Sequence, residues 1–320
     1  MNHKCNIVFM GTPDFAVPSL EALIKAGHQI SAVITSPDKP AGRGLNLRLS
    51  PVKIIAQQYN IPVLQPTNLK DESFLNQLKE INPDLQVVVA FRMLPEAVWS
   101  LPKYGTINLH ASLLPNYRGA APINWAIING ECETGATTFF LNNQIDTGDI
   151  IDSIKIPVSE NQTAGELHDI LMVEGAVLLE KTISQIADEN VIRVQQLLKP
   201  DAQLKPAPKI NKETCRINWD QEVEIIHNHI RGLSPYPTAF TELISPENIP
   251  FLIKIYKSTF IKKQINLPFG SISKCDNNSL EIAGKDGWII IKELQLSGKK
   301  RMFISDFLKG FGLNEAWKAK

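Results

Sequence analysis

The apolar positions in the first half of the chain gather into short runs. "NIVFMG" (6–11), "QISAVIT" (29–35), "LQVVVA" (85–90), "GTINLH" (105–110) and "GATTFFL" (135–141) are the clearest. Their length and β-branched content suit strands buried on both faces. Between them the apolar residues recur with helical spacing. One such stretch runs up to Gly27, with Leu20, Leu23 and Ile24 on one face, and others lie around 71–81 and 122–130. Ser50-Pro51 reads as an N-cap followed by proline at the first helical position, opening "VKIIAQQ". Strand alternating with helix predicts an α/β fold: a doubly wound, mainly parallel sheet covered on both faces. In such sheets ligands sit beyond the C-terminal ends of the strands.

The pattern then changes. A long helix is expected over about 163–189, with Leu167, Ile170, Leu171, Val177 and Leu178 among its apolar positions. "LLKPDAQLKPAPKINKE" (197–213) is rich in proline and lysine and reads as a linker. An amphipathic helix follows over 220–233. After it come "FLIKIYKSTF", "GSIS", "SLEIAG" and "GWIIIKELQL", strand-like segments with no helix between them. Such an order suggests a small barrel. The expected organisation is therefore a first domain over 1–195, a linker over 196–210 and a second domain over 211–320.

A length of 320 residues suits two domains. No apolar run approaches the ~20 residues that cross a bilayer, and the first residues lack a signal-peptide pattern. The cysteines at 5, 132, 215 and 275 form no CxxC and are expected to be reduced thiols rather than zinc ligands. These features predict a cytoplasmic protein with no membrane contact. The overall charge balances at 33 basic and 33 acidic residues, but residues 251–320 carry 13 basic against 6 acidic. That excess suits either an anionic partner or an ordinary solvated surface.

Several common chemistries lack their motifs. The first strand ends in "GTPDF", not a G-x-G-x-x-G turn, and there is no P-loop, H-E-x-x-H or G-x-S-x-G. What remains is "INLHASLLPNY" (107–117). Alternate strand residues share a face, so Asn108 and His110 project together at a strand end. An amide donor beside an imidazole suits a carbonyl reaction, in which Asn108 stabilises developing negative charge and His110 moves a proton. The same pair also suits side chains that merely satisfy backbone groups at a strand end. Asp146, in "QIDTGDI", could orient His110 if its strand end lies alongside; equally, it could cap its own turn.

These residues resemble the methionyl-tRNA formyltransferase family. The resemblance rests on "INLHASLLPNYRGAAPINWAI" (107–127), the downstream "DTG", "GTPDFAVPSL" (11–20), "SPDKPAGRG" (36–44), "RGLSPYPTAF" (231–240) and "SGKKRM" (297–302). It runs from residue 6 to beyond 310 and implies that the second domain is an OB-like β-barrel facing tRNA. It further implies formyl transfer from 10-formyltetrahydrofolate to the α-amino group of methionyl initiator tRNA, without a metal and by a chain expected to be monomeric. Asn108, His110 and Asp146 match the family's catalytic residues. Ser112, Leu113, Leu114 and Pro115 match its tetrahydrofolate-contacting segment. Phe15 matches a position near the methionyl side chain. Lys39, Arg43 and Arg48 match an insertion that meets the acceptor stem, and Lys299, Lys300 and Arg301 are candidates in the basic C-terminal region. Two positions depart from the family pattern. Phe91-Arg92, followed by Met93, replaces a Tyr-Gly beside the folate pocket, and Gln144 replaces a glycine ahead of Asp146. The alternatives are a formyltransferase acting on an amino-sugar nucleotide, a formyltetrahydrofolate hydrolase and a non-catalytic RNA-binding module.

Overall fold

A computed structural model of the chain describes residues 5–41, 46–197, 203–276 and 279–320. The chain packs as two units. The first draws on Met1–Gly119, Thr134–Ile156 and His168–Pro206; the second draws on Ala120–Glu133, Pro157–Leu167 and Ala207–Lys320. Two segments of the expected first domain thus pack with the C-terminal half.

In chain order the elements begin β1 (Asn6–Gly11), α1 (Val17–Lys25), β2 (Gln29–Ile34), β3 (Lys39–Ala41), β4 (Asn46–Arg48), α2 (Pro51–Gln58) and β5 (Val63–Leu64). They continue α3 (Glu72–Ile81), β6 (Leu85–Val89), α4 (Glu96–Trp99), β7 (Thr106–His110), α5 (Pro122–Ile128), β8 (Glu133–Phe140), β9 (Ile150–Pro157) and α6 (Ala164–Ala187). The apolar runs account for the central strands: Ile7 to Met10 and Val87 to Val89 are almost wholly buried. The helices start where their caps dictate. Ser50 Oγ accepts from Lys53 N–H (3.1 Å) at α2, and the Asp71 carboxylate accepts from Ser73 N–H (2.9 Å) at α3.

The first sheet has the order β5-β2-β1-β6-β7-β8-β9. Neighbours from β5 to β7 are parallel, and β8 runs antiparallel to β7. Strand order reverses between β1 and β6, the point where doubly wound sheets open a crevice. The loops after β1, β6 and β7 therefore share one edge, and they carry Phe15, Phe91–Met93 and the segment following His110. β9, an edge strand that the apolar runs did not announce, alternates half-buried with exposed positions.

The second unit continues with α7 (Val223–Gly232), β10 (Ala239–Ile244), β11 (Pro250–Lys262), β12 (Ile272–Asp276), β13 (Ser279–Ala283) and β14 (Gly287–Leu296), then β15 (Met302–Phe303), α8 (Ile304–Gly310) and β16 (Lys318–Ala319). Its sheet is antiparallel in the order β12-β13-β14-β11-β10-β16, with β15 on β14. A bridge between Ser271 and Lys318 joins the first strand to the last and closes the barrel. Gly270 permits this closure: its φ is +78°, and a Cβ there would lie 2.1 Å from Ala319 O. Isoleucine and leucine from the strands meet Val223, Ile226 and Ile230 of α7 inside.

One buried group in this unit makes stability depend on pH. His227 is 2% exposed, its Nδ1 lies 3.1 Å from Ser258 Oγ, and its ring meets Phe260. Burial, and then the charge of Arg231, push its pKa down from 6.5 to about 4, against weaker opposing effects of Glu160 and Glu224. The folded imidazole stays neutral while the unfolded one binds a proton below about pH 6.5. Its stabilising contribution is therefore complete above about pH 6.5 and falls by about 3 kcal/mol as pH drops to about 4. Urea unfolding of His227→Gln is expected to lose about 3 kcal/mol less than wild type between pH 7 and pH 4; equal losses would refute the assignment.

Candidate active site

β7 sets the first two residues of the site. Asn108 is half-buried and pairs in register with Val88 and Phe139; His110 pairs with Thr137 and is 7% exposed. Leu109 points the other way and packs where a Cβ on Gly175 of α6 would lie 3.0 Å from its Cδ2. The strand parity thus puts the amide and the imidazole on one face and an anchoring leucine on the other.

The segment after His110 is a turn tied by Thr137 of β8 and by its own Ser112. Thr137 Oγ1 donates to Ser112 O (2.7 Å) and accepts from Leu114 N–H (3.2 Å), while Ser112 Oγ donates to Asn116 O (2.7 Å). The Leu114–Pro115 peptide is cis and Tyr117 has φ of 61°. That turn presents Tyr117 O to His110 Nε2 at 2.8 Å. A carbonyl only accepts, so Nε2 carries the hydrogen and Nδ1 is the lone-pair nitrogen of the neutral ring. Nδ1 faces Asp146 Oδ2 at 3.8 Å. The same carboxylate oxygen accepts from Gly119 N–H at 2.8 Å.

Asp146 does not reach His110 from a neighbouring strand end. β8 is antiparallel, so its last residue, Phe140, lies opposite Ile107 at the far end of β7 from His110. The loop between β8 and β9 doubles back instead, with Asp146 at φ of 54°. Asn142 starts the return: its Oδ1 accepts from Gln144 N–H (3.0 Å) and Thr147 Oγ1 (2.9 Å). Gln144 is exposed, and the turn forms around Asn142 without a glycine at 144. Arg118 and Gln196, which motif reading passed over, complete the surroundings. Gln196 Oε1 accepts from Arg118 Nε (3.2 Å) and Nη2 (2.6 Å). Burial lowers the pKa of the Arg118 guanidinium, and the charge of Asp146 opposes that shift.

This constellation can accept a proton from a nucleophile and hold the resulting imidazolium beside a carboxylate. Among the described residues no group of His, Cys, Asp and Glu is arranged to hold a metal.

The chain matches the family model for formyl transferase over residues 5–183 and that for the formyl transferase C-terminal domain over residues 209–312. It is 50% identical to a methionyl-tRNA formyltransferase of Bacteroides fragilis over 98% of this chain and 97% of that one. It belongs to the methionyl-tRNA formyltransferase family. A Parabacteroides distasonis methionyl-tRNA formyltransferase is 52% identical over 95% of each chain. Among solved structures, WlaRD, a sugar 3N-formyl transferase crystallised with dTDP and 5-N-formyl-THF, superposes with a TM-score of 0.65 at 25% identity. That match covers 93% of this chain and 100% of the other.

The remaining positions that the family resemblance singled out are dispersed. Ser112 and Leu114 are buried in the turn, leaving Leu113 and Pro115 partly exposed. Arg92 donates to the backbone carbonyls of Thr67 (2.9 Å) and Pro66, so its guanidinium braces the loop after β5. Together with Lys70, Met93 and Leu94 it lines an open groove of about 770 Å³ beyond the end of β6. Phe15 is buried edge-on against His168, 5.2 Å between ring centroids. Lys39 and Arg48 are exposed on the β3–β4 hairpin, and Arg43 lies outside the described residues. The hairpin is held at its base by Lys53 Nζ, which bonds Asp38 Oδ2 (2.5 Å) and Gln65 Oε1 (2.7 Å). Lys299 and Lys300 are exposed in the turn after β14, whereas Arg301 is paired with Glu293 and stacked 4.4 Å over the Tyr256 ring. No helix among the described residues is long and apolar enough to cross a membrane.

Proposed function

We propose that the chain transfers the formyl group of 10-formyltetrahydrofolate to the α-amino group of methionyl initiator tRNA in the cytoplasm. The observation that carries this reading is the imidazole of His110, fixed through Nε2 by Tyr117 O with Nδ1 facing Asp146. It lies on a chain about half identical, over nearly its whole length, to proteins named for that reaction.

The amine attacks the formyl carbon, a new C–N bond forms, and the carbonyl oxygen gains negative charge. Asn108 donates its amide hydrogen to that oxygen. The attacking nitrogen gives up a proton to His110 Nδ1, where the Asp146 carboxylate stabilises the imidazolium. Collapse of the tetrahedral intermediate breaks the bond to N10 of the folate, which takes up a proton. No covalent enzyme intermediate is required. Tyr117, through its carbonyl, orients the ring, and Asp146 supplies charge.

Ser112, Leu113, Leu114 and Pro115 would form the wall next to the folate, with Phe91, Arg92 and Met93 across the strand edge. The groove volume falls in the range of small-molecule sites, and its mix of Leu69, Leu94 and Pro95 with Lys70 suits a heterocycle bearing a carboxylate tail. Phe15 would pack near the methionyl side chain. Lys39, Arg43, Arg48, Lys299 and Lys300 would meet tRNA phosphates, which position the RNA without reading bases, and Arg301, held by Glu293, would brace the turn that carries the two lysines.

The purified chain, given 10-formyltetrahydrofolate and charged initiator tRNA, is expected to yield formylmethionyl-tRNA. Elongator methionyl-tRNA serves as the control. Formylation of a dTDP-linked amino sugar in preference to the tRNA would overturn the assignment. So would formate release with no acceptor, or tRNA binding without transfer.

A further inference from the structure

Gln196 lies at the start of the stretch expected to be a linker, yet it is tied into the loop that carries Asp146. Both halves of its side-chain amide are used. Nε2 donates to Asp146 O at 3.1 Å and to Gly148 O at 2.8 Å. Oε1 accepts two bonds from Arg118. One side chain therefore joins the turn after β7 to the doubled-back loop after β8. Its own backbone is placed by an antiparallel bridge, Ile150 N–H to Val194 O (2.8 Å) and Val194 N–H to Ile150 O (2.9 Å).

The chemistry of an amide matters at this position. The two acceptors on the loop are carbonyls and need N–H donors; the guanidinium needs an acceptor. Glutamine supplies both and adds no charge, so Arg118 keeps its charge for Asp146. A glutamate would neutralise Arg118 and turn a carboxylate oxygen toward two carbonyls. The loop also needs an external hold. Asp146 adopts a left-handed backbone that non-glycine residues take at a cost, and Ile145 beside it is 61% exposed.

We infer that Gln196 is a positioning residue: it clamps the Asp146 loop and Arg118 together and so fixes the carboxylate that faces His110. The inference rests on the formyl-transfer reading for its kinetic consequence, but not for its structural one. The groups packed about His110 are Tyr117 O from the following turn, Phe139 from β8 and Asp146 from the returning loop, with Arg118 behind Asp146. Freeing the loop removes the one negative charge from this set.

The test uses the full chain with Gln196→Met, which keeps length but makes none of these bonds, and Gln196→Glu, which keeps only the acceptor. Each variant is first checked for a cooperative melt. The ring resonances of His110 are followed by NMR at one fixed pH without substrates, with Asp146→Asn as reference. Both Gln196 variants are expected to displace those resonances toward their positions in Asp146→Asn. In the transfer assay kcat is expected to fall about tenfold or more while the KM for folate stays within about twofold, as for a misplaced catalytic group. Unmoved His110 resonances with unchanged kcat overturn the inference. A wild-type rate in Gln196→Glu does so too, because that variant lacks the donors to the loop. Absence of transfer in the wild type would instead overturn the functional reading, and the His110 resonances would still judge the clamp.

Discussion

His110→Ala is expected to lower formyl transfer by about 10²–10⁴-fold, the usual contribution of a positioned general base, with the cooperative melt retained. The side chain is 7% exposed, and its main partner is a backbone carbonyl that stays in place when the ring is removed. Alanine alone would not separate loss of proton transfer from loss of packing against Phe139. His110→Gln makes that separation. Its amide N–H can donate to Tyr117 O as Nε2 does, but an amide takes no proton at neutral pH. Glutamine is thus expected to restore stability without restoring rate. A His110→Gln enzyme within a few-fold of wild type would mean that the ring serves only to hold the turn, and the proton would need another acceptor. Single-turnover rates with saturating folate give the cleaner reading, because they isolate the chemical step from product release.

Much of this arrangement could be read from residue order, because the features concerned are periodic. β1 and β6 are buried on both faces and leave mostly apolar runs, and β7 is largely buried along its length while alternating apolar with polar residues. Parity along β7 alone puts Asn108 and His110 on one face. β9 and the β3–β4 hairpin leave weaker traces, since they are half-exposed or only three residues long. Periodicity also shows that a helix has an apolar face without showing what that face meets. The α5 segment follows β7 directly but packs with the second unit, where Asn124 Nδ2 donates to Gly232 O at 2.7 Å. Around His110 the hidden contributors are mostly backbone groups. Tyr117 O and Gly119 N–H have no side-chain signature, and their placement follows from turn geometry. Gln196 sits in a segment with no regular pattern at all. Asp146 is legible as a candidate partner, but its route is not: adjacent strand ends would have brought it to His110 directly, whereas an antiparallel β8 requires a loop that returns.

That return predicts a large structural effect. Gly148, two residues beyond Asp146, passes so close over the end of β8 that a Cβ there would lie 1.7 Å from Phe140 O and 3.4 Å from Phe139 Cδ2. The obstacle is a backbone oxygen in a sheet strand. No rotamer change relieves it, and either the loop or the strand must move. Gly148→Ala is therefore expected to destabilise the fold by more than about 4 kcal/mol, or to survive only with the loop displaced, in the tail of the distribution for single substitutions. Gly298→Ala is the control. That residue has φ of +78° but nothing within 4 Å of a Cβ, so its cost is limited to backbone strain of about 1–2 kcal/mol. Urea unfolding of the two variants measures the difference. If Gly148→Ala is as stable as Gly298→Ala, the close passage does not constrain the loop. If it is stable with the loop displaced, transfer should fall with it, because Gly148 O is one of the two carbonyls that Gln196 grips and Asp146 moves with the same turn. The glycine, the aspartate and the glutamine then form one device, in which a missing side chain lets the loop fold back and bring a carboxylate to the imidazole.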